Sequence, residues 1–316
     1  MLVWGKSMPM LRAGLDPKRR PLEVASKFSE VLLKDERVRH RIMSIVAFGS
    51  VNRPSDFLKG LSDIDVLVIV DRRSGSLESQ IRHLASSVDY SLSPVVLSRR
   101  EFVSMLKAGS PGALLMLEGT LFHDKGVFSS AREAGFRPTE QTVRTSIDHA
   151  FRALSISIND YFSGLDLHES VNCAYHCARH ALRALVVKET GAMPMSDREV
   201  IQGASKHPGL QKLYREILRA RRGFRKLVKG YRGTKAGAPI GALRDEIGKL
   251  LLRAERVAVQ SSELCFGNRP SGIPDLLNSA KKKFGSFKVT GVSWQKPGWS
   301  LMVKHRGEIK QLGCKR

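Results

Sequence analysis

The chain has 316 residues, of which 42% are apolar, and its 53 Lys and Arg residues against 30 Asp and Glu residues give a formal net charge of +23. This length and composition exclude wholesale disorder and predict about two domains with cores of their own. No stretch reaches about 18 uncharged apolar residues, which excludes a membrane-spanning helix, and the positive charge favours a polyanionic partner, most often nucleic acid and sometimes an anionic membrane surface.

In the first half of the chain, helical and strand patterns alternate. Pro94 restricts the third predicted strand to a sheet edge or breaks it, because proline cannot donate to a ladder. The alternation predicts a mixed sheet with flanking helices. The predicted elements are helices over 22–41, 77–86 and 99–107, and strands over 42–48, 64–70 and 88–97.

From about residue 139 the apolar spacing becomes helical, and four long stripes in succession predict a helical bundle. The stripes run over 143–158, 171–185, 210–228 and 243–258, with breaks at 191–194, 206–209 and 230–239. The last part of the chain differs in pattern. There, residues 287–294 and 299–304 could pair as a hairpin after the basic run 281–283, so this segment is either a small module or a poorly ordered tail.

Two short polar motifs flank the loop between the first two predicted strands. Gly49-Ser50 follows one strand, and a Gly there lets backbone N–H groups approach a phosphate. Asp63 and Asp65 begin the next strand, whose period of two puts both carboxylates on one face, with Cβ atoms about 7 Å apart. Paired carboxylates suit Mg²⁺. Alone, Gly49-Ser50 is more typical of a turn and the aspartate pair of a solvated strand edge. It is their order and spacing together that indicate a triphosphate cradle beside a metal clamp.

Together, Gly49-Ser50 and the run Ser-Asp-Ile-Asp-Val-Leu-Val over 62–68 resemble the polymerase-β-type nucleotidyltransferase superfamily, over about residues 24–128. The resemblance implies transfer of a nucleoside monophosphate with metal-ion catalysis. It assigns nucleotide binding to Gly49, Ser50 and Arg53, and the binding of two magnesium ions to Asp63 and Asp65.

The family usually has a third Asp on a later strand, which completes the metal site and can act as general base. The matching position here is Ser91, and Asp89 lies two residues upstream on the same strand face. Either Asp89 takes the role after a small change of register, or the third ligand is missing. The interpretation adopted is that Asp89 is the third metal ligand and catalytic carboxylate.

Residues 169–182, followed by Gly191 and Pro194, resemble the HEPN-type helical bundle that often accompanies small nucleotidyltransferases. Some such bundles are ribonucleases with an Arg and a His separated by four residues. Arg144 and His149 have that spacing, although on the first helix of the predicted bundle. A surface Arg and a helix-face His explain the pair as well.

Two further groups in the helical half have a functional and a structural explanation. Cys173, His176, Cys177 and His180 share a helix face and are of zinc-ligand type, but one straight helix can present only two of them to one metal, and small packing residues are the alternative. Residues 215–232 are rich in Arg and Lys. This run either follows a nucleic-acid backbone or is a solvated helix face.

These inferences predict an α+β protein with three segments. They are a mixed-sheet nucleotidyltransferase domain over 24–135, an antiparallel HEPN-like helical bundle over 136–263, and a basic tail or β-hairpin module over 264–316. The expected reaction transfers NMP from an NTP, expected to be ATP, to an acceptor hydroxyl and releases pyrophosphate, with two magnesium ions as cofactors.

The expected acceptor is RNA, for example a tRNA 3′ end, and a protein hydroxyl within a toxin–antitoxin-like pair is the first alternative. A catalytically weak module that binds RNA or regulates a partner is the second. Four cysteines in this length are no disulfide framework, and the first ten residues lack the pattern of a secretory signal. A cytoplasmic location is therefore expected.

Overall fold

The computed structural model describes residues 20–53, 56–57, 62–163, 167–232, 239–268, 270, 272–295 and 298–313. The chain divides into two compact units between Gln141 and Thr142, and residues 264–316 belong to the second. Within these described ranges, no helix has the length and apolar character needed to cross a bilayer.

The first unit contains a mixed sheet with helices on both faces. Its elements are α1 (Pro21–Lys34), α2 (Glu36–Arg39), β1 (Ile42–Phe48), β2 (Ile64–Val70), α3 (Gly75–Val88), β3 (Leu92–Ser98), α4 (Arg99–Lys107), α5 (Pro111–Leu117), β4 (Thr120–Asp124) and α6 (Val127–Glu133). The strand order is β3-β2-β1-β4, in which β2 and β3 are parallel and the other two pairs are antiparallel. The expected α+β class with a mixed sheet is therefore confirmed.

Both faces of this sheet are apolar because successive side chains of a strand point to opposite sides. Val66 and Val68 of β2 pack with α1 and α3, whereas Leu67 and Ile69 pack with α4, α5 and α6. The same period places Asp65 on the side of Leu67. Pro94 lies on β3, an edge strand, as its missing N–H predicts.

Two predicted boundaries in this unit were wrong. The helix expected over 22–41 is interrupted at Asp35, whose backbone is extended and whose carboxylate accepts a hydrogen bond from Arg37 N at 2.9 Å. This side chain therefore caps a second helix instead of continuing the first. The strand expected over 88–97 begins only at Leu92. Val88 is still the last residue of α3, and residues 89–91 connect this helix to the strand.

The second unit is a helical assembly with a small sheet. Its elements are α7 (Glu140–Ser163), α8 (Leu167–Thr190), α9 (Asp197–Gly203), α10 (Pro208–Arg232), α11 (Pro239–Phe266), α12 (Ile273–Phe284), β5 (Lys288–Gln295), β6 (Gly298–His305) and β7 (Glu308–Gly313). The four long helices fall on the four predicted stripes. Of the third predicted break, 230–239, residues 233–238 lie outside the described ranges.

The long helices are joined by polar as well as apolar contacts. Ser170 Oγ on α8 donates to Ser157 O on α7 at 2.8 Å. Arg253 on α11 forms an ion pair with Glu216 on α10, with 2.9 Å between Nε and Oε2. These contacts join α8 to α7 and α11 to α10.

The small sheet has the order β5-β6-β7, with antiparallel neighbours. The pairing of β5 with β6 is the hairpin that the sequence indicates, whereas β7 and α12 were not predicted. Trp294 of β5 stacks on Phe151 of α7, with ring centroids 4.2 Å apart, and its Nε1 donates to Asp148 Oδ1 at 3.0 Å. The sheet is therefore anchored on α7.

Candidate functional site

The site begins where β1 ends. A single 3-10 turn, Gly49–Asn52, follows Phe48 directly. Gly49 has a φ of +78°, in the left-handed region that favours glycine, and a Cβ built on it would lie 2.8 Å from Asp65 Oδ2. Glycine is therefore required here twice over, once for its backbone conformation and once because the Asp65 carboxylate occupies the space of a side chain.

Asp63 and Asp65 stand at the beginning of β2. Asp65 pairs with Phe48 of the antiparallel neighbour β1, which brings it beside the Gly49 turn. Both aspartates and Ser50 are partly buried. The sheet register thus places Asp65 beside Gly49, and Asp63 is close enough for its charge to act on the Asp65 carboxyl.

The electrostatics of the aspartate pair follow from this placement. Burial raises the pKa of the Asp65 carboxyl to about 7, the negative charge of Asp63 contributes to the rise, and the Arg53 guanidinium opposes it. The arginine does not offset the other two effects. The pair is therefore an electrostatically unfavourable arrangement of carboxylates in the absence of a cation.

Arg53 is held by a residue that the sequence did not indicate as part of the site. Its Nε lies 3.3 Å from Oδ2 of Asp56, which is only 6% exposed. Asn52 supports the same turn: its Nδ2 donates to Ala47 O at 3.0 Å, and its Oδ1 accepts from Thr120 Oγ1 at 3.0 Å. Arg53 and Asp56 are three residues apart, but they lie in a loop, where this spacing does not by itself predict an ion pair.

Asp89 follows α3 and precedes β3. Its Oδ1 accepts hydrogen bonds from Ser91 N at 2.8 Å and Ser91 Oγ at 2.6 Å. Ser91 O in turn accepts from the N–H of Ile64, the residue between the two aspartates, at 2.8 Å. The turn containing Asp89 is thus tied to the start of β2, but Asp89 is not on the strand itself.

The donor set suits a magnesium ion in its chemistry. Two carboxylates beside a glycine turn offer hard oxygen ligands, and the raised pKa of Asp65 marks charge that a divalent cation would neutralise. In the part of the chain that the structure describes, no three His, Cys, Asp or Glu side chains are grouped so as to hold a metal ion. Asp89 as third ligand therefore stays a prediction.

Arg144 and His149, the possible nuclease pair of the helical unit, contact different residues. The Arg144 guanidinium lies over the Phe266 ring, 5.2 Å from its centroid, whereas His149 packs edge-on against His180 at 5.5 Å. Burial lowers the pKa of His149. These contacts are what packing residues make, and they do not join Arg144 to His149.

Cys173 and Cys177, the possible zinc ligands, form hydrogen bonds with other groups of the protein. Cys173 Sγ donates to Glu169 Oε1 at 3.2 Å, and Cys177 Sγ donates to Ala254 O at 3.6 Å. Burial raises the pKa of both thiols. Both behave as buried packing residues rather than as thiolate ligands.

The basic run on α10 has two kinds of arginine. Arg215, Arg219 and Arg222 are exposed, as a solvated or nucleic-acid-binding face requires, whereas Arg221 is only 6% exposed. The side chains of 225–232, which complete the run, lie outside the described ranges. The sequence pattern did not distinguish Arg221 from its neighbours.

Comparisons with known proteins add little to this geometry. No family model and no curated protein matches the chain. Among the solved structures that resemble it is a nucleotidyltransferase-like protein from Exiguobacterium sibiricum, at 16% sequence identity and a TM-score of 0.31, with 89% of this chain and 99% of that chain covered. A similarity at this level carries no argument about function, which therefore rests on the residues of the site.

Proposed function

We propose that the first unit transfers a nucleoside monophosphate from an NTP to an acceptor hydroxyl and releases pyrophosphate. The observation that carries the proposal is the contact of the Gly49 turn with the Asp65 carboxylate, beside Asp63. It joins a backbone suited to phosphate with carboxylates suited to magnesium, and phosphoryl transfer needs both in one place.

Each residue has a role in this reaction. The first N–H groups of a helical turn have no partners within it, so the turn beginning at Gly49 can donate to phosphate oxygens, with the Ser50 hydroxyl as a further donor. Arg53, fixed by Asp56, adds positive charge near the leaving pyrophosphate. Asp63 and Asp65 would hold magnesium, which when bound neutralises charge on the phosphates.

Asp89 is the proposed proton acceptor and third metal-binding carboxylate. Both hydrogen bonds that it accepts from Ser91 end on Oδ1, so Oδ2 is the atom proposed to take the proton of the acceptor hydroxyl. Ser91 would hold the carboxylate in place. The proposal requires the Asp89 turn to approach Asp63 and Asp65 when substrate binds.

The acceptor that we propose is an RNA hydroxyl, and the NTP is ATP. The net charge of +23 and the exposed arginines of α10 favour a polyanionic acceptor. A protein hydroxyl, as in adenylylation within a toxin–antitoxin-like pair, is the alternative. The HEPN resemblance of the helical unit and the cytoplasmic location stay predictions.

A second candidate function is a catalytically weak module that binds RNA or regulates a partner. Two observations favour this function. Asp89 accepts a hydrogen bond from Ser91, and among the described residues no three His, Cys, Asp or Glu side chains are grouped so as to hold a metal ion. Loss of the third carboxylate would remove the general base and leave the phosphate-binding turn in place.

Incubation of the purified chain with magnesium and each α-labelled NTP, with and without RNA, tests the proposal. We expect label in RNA from one NTP, no label in EDTA, and loss of labelling in Asp65→Asn. The matched control is Asp71→Asn, an exposed aspartate just after the same strand. Label in protein instead would select the alternative acceptor. RNA binding without any label in the wild type would refute the transferase and support the weak module.

A further inference from the structure

A second polar cluster lies in the helical unit and includes none of the residues of the proposed transferase reaction. Asn172, Arg179 and Arg183 recur along one face of α8, at positions i, i+7 and i+11. Arg179 is 8% exposed and Arg183 3%. With Arg221 of α10, which is 6% exposed, three guanidinium groups are withdrawn from water in one region. We refer to Arg179, Arg183 and Arg221 as the arginine cluster.

Neutral carbonyl groups accept hydrogen bonds from two members of the arginine cluster. Arg183 donates from Nε to Pro194 O at 3.1 Å and from Nη2 to Met195 O at 3.0 Å. Arg179 Nη2 donates to the same Met195 O at 3.0 Å. These bonds fix the positions of the guanidinium groups and do not neutralise their charges.

Asp197 on α9 brings a carboxylate to the cluster. Its Oδ1 lies 3.2 Å from Arg179 Nε and accepts from Tyr175 OH at 2.9 Å and Tyr214 OH at 2.7 Å. Although burial opposes them, the charges of Arg179 and Arg183 and the hydrogen bonds from the two phenols lower the pKa of Asp197, so this one carboxylate is shared between two arginines. The other acid of α9, Glu199, is exposed and accepts hydrogen bonds from Met195 N and Ser196 Oγ.

Arg221 is the member of the arginine cluster that lies beside partly solvent-exposed residues. Its Nε donates to Asn172 Oδ1 at 3.1 Å, and its guanidinium carbon lies 4.0 Å from the centroid of the Tyr175 ring. Its terminal nitrogens make no hydrogen bond within the described part of the chain. Asn172 and His176, one helical turn apart beside it, are partly exposed, so the cluster reaches solvent at this point.

Positive charge is in excess around this opening. The charged groups that act on His176 there are the three guanidinium groups of the cluster and the Asp197 carboxylate, so cations outnumber the anion. Nearby histidines add no charge: burial and the Arg221 charge lower the pKa of His176 to about 3, and burial lowers that of His180 far below its usual value. Burial likewise lowers the pKa of Arg221, which marks the cost of keeping this charge out of water.

We propose that the arginine cluster is a binding site for a phosphate dianion, either inorganic phosphate or the terminal phosphate of a nucleotide. The ligand would accept from the terminal nitrogens of Arg221 at the opening marked by Asn172 and His176. A doubly charged oxyanion balances the excess positive charge, and the planar guanidinium offers two parallel donors to it. The site is independent of the aspartate pair and needs no magnesium.

Calorimetric titration of the full chain with inorganic phosphate, in EDTA and at fixed ionic strength, tests this proposal. We expect saturable binding in the wild type and a loss of affinity of about tenfold or more in Arg221→Gln, because the charge-assisted bonds to the anion are removed. The matched control is Arg256→Gln, an exposed arginine on α11 of the same unit with the same change of charge. Equal affinity in the two variants, or no saturable binding in the wild type, would overturn the proposal.

Two additions keep the test decisive. If Arg221→Gln does not fold, Arg221→Lys keeps the charge, and we expect it to lose most of the affinity because a lysine cannot offer two parallel donors. Titration with AMP in place of phosphate distinguishes the sources: tighter binding of AMP assigns a nucleotide, and weaker binding assigns the free anion. The Asp65→Asn variant should bind phosphate in EDTA as the wild type does, which separates this site from the transferase proposal.

Discussion

At the scale of single residues, the contact between Gly49 and Asp65 joins backbone conformation to electrostatics. The 3-10 turn that begins at Gly49, whose φ lies in the left-handed region, brings backbone N–H groups to the end of β1, and Gly49 packs against the Asp65 carboxylate of the neighbouring strand. A side chain at Gly49 would thus disturb both the turn proposed to bind phosphate and the carboxylate proposed to bind magnesium. A change in the Gly49 turn therefore also affects the Asp65 carboxylate.

Gly49→Ala tests this coupling against a matched control. Gly126 also has a positive φ, +87°, but a Cβ there would meet nothing within 4 Å. Each change to Ala should cost about 1–2 kcal/mol of stability from backbone strain. Only Gly49→Ala should lower NMP transfer, by about tenfold or more, because the Asp65 carboxylate must move. Equal losses of activity in the two variants, measured with labelled NTP, would contradict the coupling.

Asp65 should make stability depend on pH. Its folded-state pKa of about 7 exceeds the ordinary value of 3.8, so the folded chain holds the proton more tightly, and stability falls as pH rises from about 4 to 7. Asp65→Asn removes this loss. At about 1.4 kcal/mol per pKa unit, the variant should be more stable than the wild type at pH 8 by on the order of 2–4 kcal/mol, with little difference near pH 4.

Urea unfolding of both proteins in EDTA at pH 4 and pH 8 measures that difference. Magnesium should then stabilise the wild type at pH 8 more than at pH 5, because it needs the ionised carboxylate, and should have no such effect on Asp65→Asn. A variant that is less stable than the wild type at pH 8 would show that Asp65 does not have a raised pKa.

At the scale of elements, a side-chain amide links the C-terminal sheet to α7. Asn159 donates from Nδ2 to Val292 O at 2.7 Å and accepts from Val292 N at 2.8 Å through Oδ1. It therefore pairs with β5 as a neighbouring strand would. Ser155 Oγ adds a third bond, to the same carbonyl at 2.8 Å.

Asn159→Ala should destabilise the second unit by about 1–3 kcal/mol, because Val292 N would be left without its acceptor in a buried region. Ile156→Ala, on the same helix but 45% exposed, is the control and should cost less than about 1 kcal/mol. Urea unfolding followed by tryptophan fluorescence reports the change, since Trp294 and Trp299 lie in this sheet. Equal effects of the two substitutions would show that the amide contact contributes no stability.

Elements with a strong period could be predicted, and those set by single contacts could not. β1, β2 and α4 are confirmed with the bounds that their apolar patterns indicate. The interruption between α1 and α2 depends on one capping carboxylate, that of Asp35, which periodicity does not detect. β4 and β7 are short strands whose side chains do not alternate clearly between buried and exposed.

The candidate site shows the same limit. Gly49 and Asp65 could be paired from motif order because strand register follows from the pattern. The support of Arg53 by buried Asp56 could not, since that ion pair depends on the path of a loop. The burial of Arg221 could not be predicted either, because it lies in a run of basic residues whose other arginines are exposed.

At the scale of the whole molecule, the net charge of +23 favours the proposed association with RNA. RNA binding should weaken steeply with salt because phosphate neutralisation releases counterions. Arg219→Gln with Arg222→Gln should reduce the slope of log affinity against log salt by about 0.7–0.9 for each phosphate that is no longer neutralised. Lys27→Gln, an exposed change in the first unit, is the control, and filter binding across salt concentrations measures the slopes. An unchanged slope in the double variant would exclude this face of α10.

The attachment of β5 to α7 has a consequence for how the chain folds during synthesis. Phe151 is completely buried, and its ring packs against both Trp294 and Trp299, more than 140 residues later. Until those residues leave the ribosome, an amphipathic helix is present without the aromatic surface that covers it. Contacts this distant in sequence form late and slowly. We therefore expect the nascent helical unit to expose the apolar surface around Phe151 until Trp294 and Trp299 have been synthesised.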